Sequence, residues 1–462
     1  MKNMTLENIT QVCKGRLCLN GNAQREAAGV VMDSRLVQKD YIFLAVVGER
    51  VDGHNFIDEV FDKGALAVIC EKAPENPKGS YILVDSSLQA LKEIAAWYRS
   101  QLDVKVVGIT GSVGKTSTKE FISSVLAQKY KVLKTEGNYN NEIGLPLTIL
   151  KIKEEHEIAV LEMGISDFGE MHRLSKMAQP DICVLTNIGQ CHLENLGSRQ
   201  GILKAKSEIF DFMKEDGWVC INGEDDMLAT LKEVKGRSPV RFGISPENDI
   251  SASDLVNKGL FGSSCTIHMN QNQLSFPAEI PLPGSHMVLN ALAATAVGIL
   301  LDMKPEQIAE GVKAVKPVGG RSNIIRREHH IVIDDCYNAN PVSMKAALDL
   351  LGMADTRKVA LLGDMGELGA KEAVLHREVG VYAIKSGVDL LVCIGKLSLN
   401  MYEGAEAASK EEKGSRGRSQ KILYFETRDE LIDALPELLK EDDTILVKAS
   451  HFMGFENVVN AI

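Results

Sequence analysis

No stretch of this chain is apolar for long enough to span a bilayer. The longest apolar run, Met287 to Leu301, is about 15 residues, short of the roughly 20 that a membrane helix needs, and it carries Asn290 and Thr295. It reads as a buried helix. The amino terminus, MKNMTLENITQVCKG, lacks the apolar segment of a signal peptide. No CxxC pair is present. The nine cysteines, an odd number, are scattered from Cys13 to Cys393, which argues against a disulfide framework or a zinc knuckle and for a reduced, cytoplasmic setting. Positive charge is also scarce: 52 Lys and Arg face 63 Asp and Glu, leaving −11. A nucleic acid or an anionic membrane as main partner would need clustered positive charge. A local site for a small anion stays open. The first hundred residues hold no GxGxxG, and there is no internal repeat.

What is present is the composition of an ordinary globular protein, 45% hydrophobic and 25% charged. At 462 residues the chain has room for about three domains. The reading is α/β throughout. Residues 1–103 form a small N-terminal α/β domain, with strand-like runs at Val30–Met32, Ile42–Val46, Ala67–Cys70 and Tyr81–Val84. Residues 104–318 alternate apolar strands with helix-length segments, as in a parallel sheet covered on both faces. Within them, 236–283 read as a β-hairpin excursion, followed by the long helix from about His286. Residues 319–462 alternate again and read as a Rossmann-like α/β domain. In that domain the polar stretch 403–420 is expected to be a solvated loop.

The strongest local signal runs from Val104 to Thr118. An apolar strand enters Gly111-Ser112-Val113-Gly114-Lys115-Thr116-Ser117, and a helix follows. Glycines let the backbone curl so that several N–H groups face phosphate oxygens, and the helix N-terminus adds its positive end. Lys115 can reach the β- and γ-phosphates, and Thr116 can offer its hydroxyl to Mg2+. The strict signature has a further glycine where this chain has Ile109, so the loop is a variant P-loop. Two more residues sit at the ends of predicted strands, where α/β sheets bind ligands: Glu162, closing Ile158–Leu161, and His192, after Ile182–Leu185. A carboxylate there suits a metal.

Taken with that loop, a run of further segments carries a resemblance. In chain order they are Asn138-Tyr-Asn-Asn-Glu-Ile-Gly-Leu-Pro146, Glu162-Met-Gly164, Thr186-Asn-Ile188, His192-Leu-Glu194 and Ala205-Lys-Ser-Glu-Ile-Phe210. Then come His286-Met-Val-Leu-Asn290, Gly320-Arg321 and Asp334-Asp-Cys-Tyr-Asn-Ala-Asn-Pro341. The chain resembles the ATP-dependent Mur ligases of peptidoglycan synthesis over essentially its whole length. Asp33-Ser-Arg35 and Asp52-Gly-His-Asn-Phe56 resemble the nucleotide-sugar motifs of the later ligases. The Tyr-Asn-Ala-Asn-Pro run and Leu362-Gly-Asp-Met-Gly-Glu-Leu-Gly369 resemble the last ligase of the series.

The resemblance implies ATP-driven amide formation through an acyl phosphate, joining D-alanyl-D-alanine to UDP-N-acetylmuramoyl-tripeptide. It implies Mg2+ at Thr116 and Glu162, a second Mg2+ contacted by His192, and a CO2-derived carbamate on Lys206. Lys115, Lys206, His192 and Glu162 would be catalytic. Asn290 would contact adenine, Arg321 the ATP phosphates and Asp335 the ribose, with Asp334 beside it leaving that last choice open. Ser34, Arg35 and His54 would meet the uridine end of the substrate, and Asn138, Asn140 and Asn141 the acceptor and phosphates. A monomer working in the cytoplasm is expected. The chain departs from the family at Lys448-Ala449-Ser-His451, where the family has Lys-Gly-Ser-Arg. The change loses a permanent, bidentate cation. Cys336 replaces a Ser or Thr. Two other readings are a sister amide ligase and an ATP-binding switch without ligase chemistry.

Overall fold

The computed structural model describes all residues except 49–50, 271–272 and 413–419. Its contacts gather into two compact units. The first comprises 1–110, 130–184 and 206–218; the second comprises 111–129, 185–205 and 219–462.

The first unit holds a five-stranded sheet. Its order is Arg16–Cys18, Ser80–Leu83, Ala67–Cys70, Tyr41–Leu44, Gly29–Val31, parallel except for the antiparallel edge Arg16–Cys18. Helix Ser87–Ser100 is capped by Ser86, whose side chain accepts from Gln89 N–H, and buries Leu91, Ile94 and Tyr98. The same unit contains the parallel strands Lys105–Thr110, Ile158–Glu162 and Val132–Lys134. Ile158, Ala159, Val160 and Leu161 are all buried, as are Val106, Val107 and Ile109. Such unbroken apolar runs are what a strand covered on both faces requires. Ile109 is therefore a strand residue, which is why no glycine is needed there.

In the second unit, strands Trp218–Asn222, Val240–Phe242 and Ile250–Asn257 pair in parallel. Ser263–Met269 and Leu274–Ile280 then fold back antiparallel. The expected hairpin excursion is thus real for its second half, whereas its first strands continue a parallel ladder. Helix Lys115–Leu126 packs on helix His286–Leu300, whose residues 290–298 are all buried.

A six-stranded sheet closes the chain, in the order Asn323–Arg326, His330–Asp334, Asp443–Lys448, Lys358–Gly363, Leu390–Ile394, Lys421–Phe425. All pairs are parallel except the first. The last strand in sequence sits near the middle of the sheet. Strand order reverses beside it, a place where α/β sheets bind ligands at their carboxyl ends. Those ends carry Asp335, Asp364 to Glu367, and Ser450 with His451.

One expectation fails here. Within 403–420, residues up to Glu412 belong to helix Leu399–Glu412. Met401, Ala405 and Ala408 recur at i, i+4 and i+7 and are buried in the sheet's core. The stripe is built mostly of small residues, so charge dominated the sequence pattern. Of the rest of that expected loop, 413–419 lies outside the described residues, and Gln420 donates its side-chain amide to Ile384 O and Val388 O. Among the described residues, no helix is long and apolar enough to cross a membrane.

Candidate functional site

Gly111 opens the phosphate loop at φ +154°, and a Cβ on it would lie 1.9 Å from Thr186 Oγ1. Only glycine fits. Gly114, at φ +82°, caps helix Lys115–Leu126 in the left-handed region, again glycine's territory. Between them the loop is held by Thr186 and Asn187. Thr186 Oγ1 donates to Val113 O (2.6 Å), and Asn187 Nδ2 donates to the same oxygen (2.9 Å). Val113 N–H donates to Asn187 Oδ1 (2.9 Å), and Ser112 N–H to Asn187 O (3.0 Å). Ser112 Oγ accepts from Gly189 N–H (2.8 Å). The Ser112 and Val113 amides therefore stiffen the loop, and the helix N-terminus from Gly114 to Ser117 supplies the donors left for an anion. Lys115 Nζ donates to Gly111 O at 2.9 Å. Thr116 is buried. Thr118 Oγ1 donates to Asn290 Oδ1 at 2.9 Å, so the buried Asn290 amide stands beside the loop's helix with its carbonyl already engaged.

In the first unit, Glu162 is nearly inaccessible and accepts from Asn140 Nδ2 at 2.9 Å. Of the three loop asparagines, only Asn140 meets it. Asn141 Oδ1 accepts from Ile143 and Gly144 N–H and starts a short helix, while Asn138 is exposed. Lys206 is wholly buried near the end of helix Arg199–Ser207. Arg35 is open to solvent, forked onto Asp33 (Nη2–Oδ2 2.6 Å), and this hydrogen bond pulls the Asp33 carboxyl down to about 2. Ser34 offers its carbonyl to Lys63 Nζ. His54 is enclosed: Nδ1 lies 2.6 Å from Asp52 and Nε2 accepts from Glu71 N–H (3.0 Å). Its ring braces the segment, and both nitrogens are used inside the fold.

In the second unit a cavity of about 280 Å³ is lined by Ser112, Lys115, His192, Glu367 and the segments 337–340 and 450–452, among others. His192 Nδ1 sits 2.7 Å from Glu367 Oε2. The Arg321 guanidinium lies 4.2 Å from the Tyr337 ring centre, and the His451 ring, tilted by 31°, is 5.3 Å from it. Asp334 Oδ2 accepts from Gly320 N–H, and Asp335 Oδ1 from Ser322 N–H, both at 2.8 Å. The two acids thus pin the segment that carries Arg321. Asp335 Oδ2 also takes Lys448 Nζ at 2.5 Å.

Among the described residues, no three His, Cys, Asp or Glu side chains gather as a metal-binding cluster. For the first expected ion the candidates are a carboxylate, Glu162 in the first unit, and a hydroxyl, Thr116 in the second; His192, expected at a second ion, and Lys206, if carbamylated, are the others. Few protein ligands at the first ion, all hard oxygens, fit Mg2+, which keeps waters and takes substrate phosphates.

Three segments of the chain match the three Mur ligase families of domain: the family's catalytic domain over 26–99, its middle domain over 109–298, and its glutamate ligase domain over 320–451. The chain belongs to the Mur ligase family. It is 38% identical to the UDP-N-acetylmuramoyl-tripeptide–D-alanyl-D-alanine ligase of Bacillus subtilis, covering 98% of this chain and 97% of that one. To the Escherichia coli ligase of the same name it is 33% identical, covering 100% and 99%. Its fold superposes on crystalline MurF from Acinetobacter baumannii with a TM-score of 0.89 at 32% identity, over 99% and 98% of the two chains. With MurF from Thermotoga maritima in complex with ADP the score is 0.79 at 30% identity, over 94% and 96%.

As a Mur ligase, the chain shows several site residues that motif reading passed over. Thr186 and Asn187 stand in a family motif, and their role is to hold the loop through Val113. Lys448 stood in the departing Lys-Ala-Ser-His run. Glu367 lay in a segment used only to distinguish sister enzymes, and Tyr337 in the Asp334–Pro341 motif without a role of its own. A one-dimensional pattern shows that a segment matters and not what it touches.

Proposed function

We propose that this Mur ligase joins D-alanyl-D-alanine to UDP-N-acetylmuramoyl-tripeptide, converting ATP to ADP and phosphate. The observation that carries the reading is the full-length likeness to ligases of that name, joined to a phosphate loop whose lysine and helix N-terminus open on the same cavity as His192. The tripeptide carboxylate attacks the γ-phosphorus, and ADP leaves. The dipeptide amine then attacks the acyl phosphate carbonyl, and the tetrahedral intermediate expels phosphate. Both partners in the first step are anions, so the chain must offset their repulsion. Lys115 swings from Gly111 O onto the β- and γ-phosphates, and the amides from Gly114 to Ser117 hold phosphate oxygens.

Thr116 and Glu162 would hold Mg2+, with Asn140 orienting the carboxylate, and His192 would contact a second ion near the acceptor. Bound Mg2+ supplies charge neutralisation on the transferring group. Lys206 is the kind of enclosed amine that adds CO2, releasing a proton and leaving an anionic carbamate that suits a neighbouring cation. Asn290 faces the adenine, Arg321 the phosphates, and Asp335 the ribose. Ser34 and Arg35 meet the uridine end, with His54 holding that segment in shape. Asn138 and Asn141 shape the acceptor loop. Domain boundaries near 103 and 318 divide substrate, ATP and dipeptide duties, in a monomer working in the cytoplasm.

Phosphate release from ATP and Mg2+ should require both the nucleotide tripeptide and the dipeptide. Diaminopimelate and lysine forms of the tripeptide, run side by side, show which is preferred. Release with neither substrate, or none with both, overturns the reading.

A further inference from the structure

We propose that Glu367 is a positioning residue, fixing the His192 imidazole in its Nδ1–H form and leaving the Nε2 lone pair for the reaction site. For its catalytic consequence this rests on the ligase reading above.

The contact is short, 2.7 Å from Nδ1 to Oε2, and both residues line the cavity that holds Lys115. As a bare surface ion pair it would contribute little, because the Glu367 side chain is well over half exposed. Two further observations set it apart. First, both backbones are in the left-handed region, His192 at φ +52° and Glu367 at φ +61°. Histidine enters that region more readily than most residue types, but glutamate does not favour it, and such non-glycine outliers persist where the surroundings over-determine them. Glycines stand at 366 and 369, so a glycine at 367 would be the unstrained choice. The chain keeps a carboxylate there instead.

Second, the three residues that lead into Glu367 are each held by hydrogen bonds. Met365 N–H donates to His376 Nε2 and Gly366 N–H to Ser450 Oγ, both at 2.9 Å. Asp364 Oδ1 accepts from Ser398 N–H and Oγ–H, both at 2.7 Å. The opposing loop comes close enough that a Cβ on Gly369 would sit 3.5 Å from Glu194 Cα. A carboxylate accepting from Nδ1–H on a loop fixed in this way selects one tautomer. This is the arrangement that orients imidazole ligands in general. The His192 hydrogen bond in turn holds the Glu367 carboxyl below its ordinary range.

The test uses full-length protein with ring-15N histidine, at a pH of about 8.5, above the ordinary imidazole range, with His192→Asn to assign the resonance. Ligand-free parent protein should show His192 as Nδ1–H. Glu367→Ala and Glu367→Gly should move it toward Nε2–H and lower kcat for phosphate release roughly 10–100-fold, with KM for ATP little changed. Glu367→Gln keeps an acceptor and should restore much of both. Glu367→Gly should melt within about 2 °C of the parent, because glycine removes the backbone strain. An unchanged tautomer in Glu367→Ala and Glu367→Gly overturns the proposal, as does a kcat within twofold of the parent. The tautomer is read without substrate, so it stands or falls separately from the ligase reading.

Discussion

Lys448 Nζ lies 2.5 Å from Asp335 Oδ2, and both side chains are almost completely buried. The lysine also donates to Asn338 O at 2.9 Å, so one ammonium ties the end of its own strand to the turn after His330–Asp334. Such a pair need not stabilise the protein more than apolar residues would, but breaking it strands a charge. Lys448→Met should therefore cost about 3–5 kcal/mol, read as a lower urea midpoint. The double change Lys448→Met with Asp335→Leu should recover a large part of that. A single variant as stable as the parent would show that the pair is hydrated in solution.

Gly111→Ala sets a Cβ 1.9 Å from Thr186 Oγ1 on a backbone at φ +154°. The methyl cannot be accommodated without moving the hydroxyl that holds Val113 O. ATP binding, followed by calorimetry, should fall by more than tenfold. Thr186→Ala alone loses one hydrogen bond, about 1 kcal/mol, and should bind ATP nearly normally. Combining the two clears the collision while the backbone strain stays, so only part of the binding should return.

The architecture was legible wherever long apolar strands alternated with helices. Val106 to Ile109 and Ile158 to Leu161 read as buried strands because nothing polar interrupts them. Short pieces were missed: helix Leu6–Val12, strand Arg16–Cys18 and edge strand Asn323–Arg326 are too brief for periodicity to register. Helix Leu399–Glu412 was missed because its buried stripe includes Ala405 and Ala408, which carry little hydrophobic signal. At the site, the loop from Gly111 to Thr116 announced itself by glycine spacing. The partners that hold it, Thr186 and Asn187, lie some seventy residues away in sequence, and the carboxylate on His192 lies farther still. Long-range hydrogen bonds leave no period in a sequence.

His376 is fully enclosed, with Nδ1–H donating to Glu372 O (2.7 Å) and Nε2 accepting from Met365 N–H (2.9 Å). Burial lowers its pKa from the ordinary 6.5, overriding the opposite pull of Glu372 O and nearby acids. The folded state thus binds its proton less readily than the unfolded chain. Stability should be full above about pH 6.5 and should decline as pH falls toward the lowered folded value. His286, only partly exposed, is shifted the same way, chiefly by desolvation, and adds to the slope. His376→Gln should flatten the decline between pH 6.5 and 5 in melting experiments while lowering stability at pH 8. An unaltered slope would assign the acid sensitivity elsewhere.

Lys115 and Thr116 are neighbours to which the proposed reaction gives separable duties. Lys115 donates one hydrogen bond within the ligand-free loop, to Gly111 O, so Lys115→Met should fold normally and lose about 1 kcal/mol at most. Its cost falls on the transferring phosphoryl group: kcat for phosphate release should drop by about 10³ or more, the scale of losing a cation at such a transition state. The Mg2+ concentration needed for half-maximal rate should stay the same. Thr116→Ala should do the reverse, raising that concentration about tenfold or more with a smaller fall in kcat at saturating metal. Chelation with EDTA should abolish phosphate release in the parent and in both variants. A Thr116→Ala enzyme with the parent's Mg2+ dependence would remove that hydroxyl from the metal's ligands and leave Glu162, oriented by Asn140, as the residue to vary next.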